Sequence, residues 1–179
     1  MLEFNYTLSK EDNYIFQLYV ASKSPLIKKQ RRRVRYLLLA VLTLLGFIFF
    51  KDSVATAIGF FAAAIIFFFF YSEYSKWFYR RYLRKHVDEF FDPDAGTTTL
   101  RITEQTLESF DKKSNSSIRW KEFLSFIEID NYFFIQLTKA MYYIIPKDQV
   151  DEEEVRRHLQ KCSEEFGVPY VSELDWKWR

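Results

Sequence analysis

Two histidines and one cysteine, His86, His158 and Cys162, are the side chains of this chain best suited to proton transfer, metal ligation or nucleophilic attack. Each histidine falls in a stretch that reads as a helix among charges. The sequence vouches for no cysteine or carboxylate at metal-ligand spacing from either, so both are expected as solvated surface residues. Cys162 follows Val155 and Leu159 on one helical face and is expected to behave as a small hydrophobe. A nucleophilic role would need a lowered pKa and a neighbouring base. Phosphate loops of the Walker or GxGxxG kind are absent, and the four scattered glycines could hardly build one. Asp151-Glu152-Glu153-Glu154 is an acidic run at a helix start, where it favours the helix dipole; a cation or basic partner is the alternative reading. No catalytic, cofactor-binding or metal residue is therefore expected, and the chain is read as non-enzymatic.

The chemistry that does stand out is electrostatic. Arg31, Arg32, Arg33 and Arg35 precede a first apolar run, Tyr36–Phe50, and Lys76, Trp77, Arg80, Arg81, Arg84 and Lys85 follow a second, Ser53–Ser72. These ten residues are the candidate membrane-surface set, suited to the phosphates and interface of a lipid bilayer. The second run has the length of about 20 apolar residues that a spanning helix needs, and its Phe67-Phe68-Phe69-Phe70 block is rare in soluble domains. The first run is shorter, but Val34 extends it and the charges of Arg35 and Lys51 can reach outward along their stems. Neither run has a polar stripe, so the pair is read as a transmembrane helical hairpin rather than two soluble core helices. Twelve Lys and Arg residues lie at its outer flanks and Lys51 alone in the connecting loop, which predicts a multi-pass cell-membrane protein with both termini cytoplasmic. Tyr71, Tyr74, Trp77, Tyr79 and Tyr82 would sit at headgroup level. The polar first 35 residues argue against a cleaved signal peptide.

The formal net charge of +2 hides a segregation. Residues 28–35 carry +6 and residues 76–85 carry +5, whereas residues 86–179 carry −7. A nucleic-acid surface would need the reverse, and none is expected. A single cysteine excludes an internal disulfide framework and suits a reducing compartment.

The remaining chain divides by pattern. Leu2–Leu8 reads as a strand, followed by a helix from Ser9 with Asp12 placed for a capping box; Ser24-Pro25 ends that helix. Tyr74 to about Phe91 reads as a basic helix, and Asp92-Pro93-Asp94-Ala95-Gly96 as a turn. Thr97–Thr103, Thr106–Asp111, Ser116–Trp120, Phe123–Asp130, Phe133–Thr138 and Met141–Pro146 are short strands. Their links, with Lys112-Lys113-Ser114-Asn115 as the clearest tip, are short enough to require an antiparallel meander. A final amphipathic helix starts near Asp151 and stops at Gly167, before a tail bearing Trp176 and Trp178. The expected organisation is a cytoplasmic strand and helix over 1–33, the hairpin over 34–72, a juxtamembrane helix and turn over 73–96, and a β-rich domain over 97–179. The fold class is α+β. Whether the amino-terminal strand joins the later sheet stays open.

Ile118-Arg119-Trp120, Phe123, Phe126-Ile127-Glu128, Phe133-Phe134-Ile135 and Ile144-Ile145-Pro146-Lys147, ahead of an acidic helix, resemble the YcxB-like family of small bacterial membrane proteins. The order of parts is similar too: an aromatic-containing amino-terminal segment, two spans and a β-rich domain. Asp148-Gln149-Val150 departs from the pattern, where a basic or aromatic residue would be expected. The resemblance implies a pleckstrin-homology-like soluble part, an antiparallel sheet closed by a carboxy-terminal helix. It carries no activity, cofactor or functional residue.

The function expected is display of a small cytoplasmic interaction domain from the bilayer, with another membrane protein or a second copy as partner. No small-molecule substrate and no cofactor are expected. The alternative is envelope protection, of the bacteriocin-immunity or resistance kind, by binding at the membrane. Headgroup binding by the domain itself is disfavoured by its negative charge.

Overall fold

The computed structural model describes residues 2–92, 96–112 and 115–178, so the centres of the turn expected at 92–96 and of the tip expected at 112–115 lie outside the described residues. The chain forms two compact units, Met1–Phe16 with Asp88–Lys177, and Gln17–Val87 with Trp178–Arg179. The architecture is α+β.

In the first unit, β1 (Leu2–Tyr6), β2 (Thr98–Ile102), β3 (Thr106–Phe110) and β4 (Asn115–Arg119) form an antiparallel sheet in that order. A second sheet takes the order β7-β6-β5-β8, from β5 (Ser125–Glu128), β6 (Tyr132–Gln136), β7 (Tyr142–Pro146) and β8 (Tyr170–Ser172). The expected meander thus holds within each half and breaks between them. The break is the 3₁₀ turn Trp120–Glu122, where the fully buried Trp120 anchors the chain as it passes between sheets. Its indole Nε1 donates to the Thr103 carbonyl at 3.0 Å, so the ring enters the core with its polar edge satisfied.

The open question of the amino-terminal strand is settled by register: Leu2 faces Ile102, Phe4 faces Leu100 and Tyr6 faces Thr98. Tyr6 enters the core, and the Gln149 side chain clamps the following residue, accepting from Thr7 N at 2.9 Å and donating to Thr7 O at 3.1 Å. The tail, too, is structured. Gly167 adopts φ 70°, reversing the chain after α4 (Glu152–Phe166), and β8 then pairs parallel to β5 with Phe126 opposite Tyr170. A parallel pair needs a long crossover, which α4 provides.

The core joins Leu100, Ile102 and Leu107 of the first sheet to Phe126, Phe133, Ile135 and Ile145 of the second, under Val155, Leu159 and Cys162 of α4. On the other face of the second sheet, Phe134 meets Phe16 of α1 (Lys10–Lys23) edge-on, with ring centres 5.5 Å apart. Strand β6 is therefore covered on both sides, which is why its sequence lacks a clean alternation. The expected capping box holds α1 in place: Asp12 N donates to Ser9 Oγ, Ser9 N donates to Asp12 Oδ2, and the Tyr132 hydroxyl donates to Asp12 Oδ1 at 2.7 Å.

One charged cluster is sealed into this unit. Glu128 on β5, only 2% exposed, accepts from Lys147 Nζ at 2.7 Å, from Arg156 Nη2 at 2.7 Å and from the Tyr170 hydroxyl. Lys147 also reaches Glu152 at 3.0 Å, and Arg156 pairs with Glu152 and Glu153. Burial opposes the charge on Glu128, but hydrogen bonds from Arg156, Lys147 and Tyr170 outweigh it and hold the carboxyl at about 2. The cluster bolts β5 to the end of β7, to α4 and to β8.

The second unit is built on α2 (Pro25–Phe49) and α3 (Val54–Phe90). Ser24 caps α2, its hydroxyl accepting from Ile27 N, with Pro25 in the first turn. α3 is continuous over 37 residues, so the apolar run and the basic helix expected beyond it are one element. Phe47 packs edge-on against Phe61, Phe49 stacks on Phe60, and Ala57, Ala64 and Tyr71 are buried at seven-residue intervals along α3. At Gly46 the Phe61 ring lies against the α2 backbone, since a Cβ there would fall 2.7 Å from Phe61 Cε1. Small residues at such a seam are the device that lets helices pack in lipid.

Of the two spans expected, one passes on length and composition: among the described residues, α3 is the helix long and apolar enough to cross a membrane. α2 falls short because its uncharged part begins only at Tyr36, and the turn before it carries Arg32, Arg33 and Arg35.

Candidate membrane-surface site

The ten basic and aromatic residues singled out from the sequence are placed along α2 and α3, and the structure gathers only some of them. Lys28, Arg31, Arg32 and Arg35 recur at three- and four-residue spacing, which puts their side chains on one face of α2. Together they line a pocket of about 260 Å³ that Tyr36, Tyr71 and Ser72 complete. Among the described residues no carboxylate lines it.

Arg31 and Arg35 are held in place from α3. Arg31 Nε donates to Ser75 Oγ at 2.8 Å, and its guanidinium lies 6.0 Å from the Tyr79 ring and 5.9 Å from that of Trp178. Arg35 Nη2 donates to the Phe68 carbonyl at 2.9 Å while the guanidinium sits 4.0 Å over the Phe68 ring. The Nε of Arg35 is enclosed and has no acceptor among the described residues. Lys28 and Arg32 are exposed at the mouth.

The rest of the set lies outside the pocket. Arg33, Arg80, Arg84 and Lys85 are exposed on the helix surfaces. Lys76 pairs with Glu73 at 2.5 Å, and Arg81 stands 5.7 Å from the exposed Trp77 ring. Lys28, Tyr36, Tyr71 and Ser72 were not among the expected site residues. The i, i+3, i+4, i+7 spacing of Lys28, Arg31, Arg32 and Arg35 was the signal that could have found the pocket's basic face; the α3 side depends on register between helices, which the sequence does not show.

Height along the helices matters for what such a pocket can meet. At 1.5 Å per residue, Arg35 lies about 21 Å and Lys28 about 32 Å from the Phe49 end of α2. Tyr71 and Ser72 lie about 26 Å from the Val54 end of α3. A hydrocarbon core is roughly 30 Å thick, so if the turn is at one surface the pocket is at the level of the opposite headgroups.

The groups considered first for chemistry are placed otherwise. Cys162 is buried in the core, where burial, followed by the charge of Glu165, pushes its thiol up to about 11. His158 Nδ1 lies 3.0 Å from its own helix's Glu154 carbonyl. Asp151 caps α4, its Oδ1 accepting from Glu154 N at 2.9 Å, and Glu152 is engaged by Lys147 and Arg156. Among the described residues no three of His, Cys, Asp and Glu gather as a metal site. Trp178, whose place in the tail was open, is buried with its ring 6.4 Å from that of Tyr79.

A scan against protein-family models matches residues 102–159 to the YcxB-like protein family. No curated protein and no solved structure gives a significant match. The matched stretch runs from the end of β2 into α4 and holds Trp120, Phe126, Phe133, Ile145 and Glu128, the packing and ion-pair residues that hold the two sheets together. The chain is thus similar to the YcxB-like family over residues 102–159, about a third of its length, the stretch that carries β3 to β7 and, of the Glu128 cluster, all but Tyr170.

Proposed function

We propose that this protein is a non-enzymatic membrane anchor that presents a YcxB-like β-rich unit at the bilayer surface. The observation that carries the reading is the surface of α3: only 17% of its most apolar stretch is buried within the protein. Ile58, Ile65, Ile66, Phe69 and Phe70 are each more than half exposed, which water would penalise and lipid would not. In this reading α2 and α3 cross as a hairpin, with the uncharged part of α2 short enough to draw Arg35 toward the interface. The twelve flanking cations against Lys51 alone set both termini in the cytoplasm of a bacterial cell. The two four-stranded sheets and closing helix support a pleckstrin-homology-like reading of the displayed unit.

The mechanism is tethering. Confinement to a surface raises the effective concentration of the unit for a partner in the same membrane, either another integral protein or a second copy. Protease added outside intact cells tests the orientation: residues 97–179 stay intact until the membrane is permeabilised. Cleavage of that segment in intact cells would overturn the topology, and crosslinking in native membranes with mass spectrometry would identify the partner.

A further inference from the structure

We propose that the pocket formed by Lys28, Arg31, Arg32 and Arg35 against Tyr71 and Ser72 is a binding site for the phosphate group of an anionic phospholipid. The inference rests on the membrane reading above and adds a ligand to it.

Three observations converge with the chemistry of the guanidinium group. The pocket gathers Lys28, Arg31, Arg32 and Arg35 on one side, and among the described residues no carboxylate lines it, so an anion is favoured there. Lys28 and Arg32 at its mouth make no ion pair among the described residues, although acidic residues are common elsewhere in the chain. Arg35 lines the pocket and is fixed by its Phe68 contacts, which hold its charge at the site, and its enclosed Nε–H has no acceptor among the described residues. Guanidinium forks match the paired oxygens of a phosphodiester better than they match a halide or a single-point acceptor.

Size and surroundings favour a lipid as the source. The pocket is open to its surroundings and holds about 260 Å³, room for a phosphate group whose remainder extends outside it. Arg31 and Tyr71 also wall a second groove of about 290 Å³, lined by Val34, Leu38 and Phe78. A basic pocket sharing its walls with an apolar groove offers a phosphate site and an acyl-chain path side by side. The height of about 21–32 Å from the turn puts both where headgroup meets chain.

The test uses the full-length protein in mild detergent, with bound lipid counted by native mass spectrometry. Phosphatidylglycerol, phosphatidylcholine and inorganic phosphate are the probes. The pocket variant is Lys28→Gln with Arg32→Gln, at two exposed side chains that support no fold contact. The control is Arg80→Gln with Arg84→Gln, which removes the same charge from α3 outside the pocket. The wild type is expected to prefer phosphatidylglycerol over phosphatidylcholine. The pocket variant should lose roughly tenfold or more of that preference, because two charged contacts to the bound phosphate go, while the control, which touches no bound phosphate, should lose under about threefold. Equal loss in the two variants would mean diffuse charge only and would overturn the site. Full displacement of the lipid by millimolar inorganic phosphate would overturn the lipid as ligand. Sedimentation of membranes from the same cells separates the two layers of the argument. Wild-type protein in the supernatant refutes the anchor, whereas protein that sediments but shows no lipid preference refutes the pocket alone.

Discussion

Replacing Glu128 by Gln removes the charge around which β5, β7, α4 and β8 are fastened, while keeping the side chain's shape. Lys147, 8% exposed, then loses the negative charge of its 2.7 Å partner, and Arg156 loses the charge behind its two contacts to the same oxygen, since a Gln amide oxygen accepts without charge. Removing one partner of a buried pair costs about 3–5 kcal/mol. The lower end applies here, because Glu152 still serves both cations. The titration of the carboxyl leads to a similar magnitude. A group at about 2 when folded and near 4.5 when unfolded differs by roughly 2.5 pH units, or about 3 kcal/mol. At about 3 °C per kcal/mol for a chain of this size, the variant should melt about 10 °C below the wild type at neutral pH. Because the folded pKa is depressed, this stability is fully present above about pH 4.5 and is lost as pH falls toward about 2. The assay is thermal unfolding of the full chain in detergent, followed by near-ultraviolet circular dichroism, which reports the packing of the aromatic side chains, Trp120 among them. Wild type should lose melting temperature steeply between about pH 5 and 2, and Glu128→Gln should lose less over the same interval. A neutral-pH shift under about 2 °C, or parallel pH profiles for the two proteins, would refute the reasoning.

Deleting residues 2–8 should leave β2 as an exposed edge and open the core at Tyr6, so the remaining chain should aggregate or show raised amide exchange in β2 and β3; unchanged exchange would contradict the register of β1. Gly46→Leu should separate α2 from α3, since even a Cβ there meets the Phe61 ring at 2.7 Å, and the melting temperature of the helical unit in detergent should fall; an equal melting temperature would show that the seam is looser than drawn. Gly167→Ala should cost about 1 kcal/mol in a chemical melt, because φ 70° strains any residue with a Cβ; a cost near zero would mean the α4 terminus re-forms another way.

How much of this could be read from the sequence differs by element. α4 was legible in full, because Asp151, the Val155–Leu159–Cys162 stripe and Gly167 are local signals that act within one helix. The six strands were found for the same reason, each bounded by turn residues. The division into two sheets was not, since it depends on Trp120 occupying the core beneath Thr103, a contact 17 residues apart. β8 is three residues long and pairs through a crossover, so no local periodicity announces it. The separate basic helix expected from Tyr74 merged into α3 because nothing between Ser72 and Tyr74 breaks a helix. At the site, cation spacing on α2 was visible, whereas the approach of Tyr71, Ser72 and Ser75 depends on how α3 packs along α2, which no local pattern announces. The Glu128 cluster was hidden for a related reason. Its members lie on four elements, and a lone glutamate in an apolar strand gives no sign of which cations will meet it.

The account stands on α3 being solvated by lipid, and alkaline carbonate extraction of membranes from cells making the intact chain tests this most directly. The chain is predicted to remain in the membrane pellet through the wash and to be released only by detergent. Recovery of the folded chain in the carbonate supernatant would contradict it, because exposed Phe69 and Phe70 would then have to be covered by protein rather than by acyl chains.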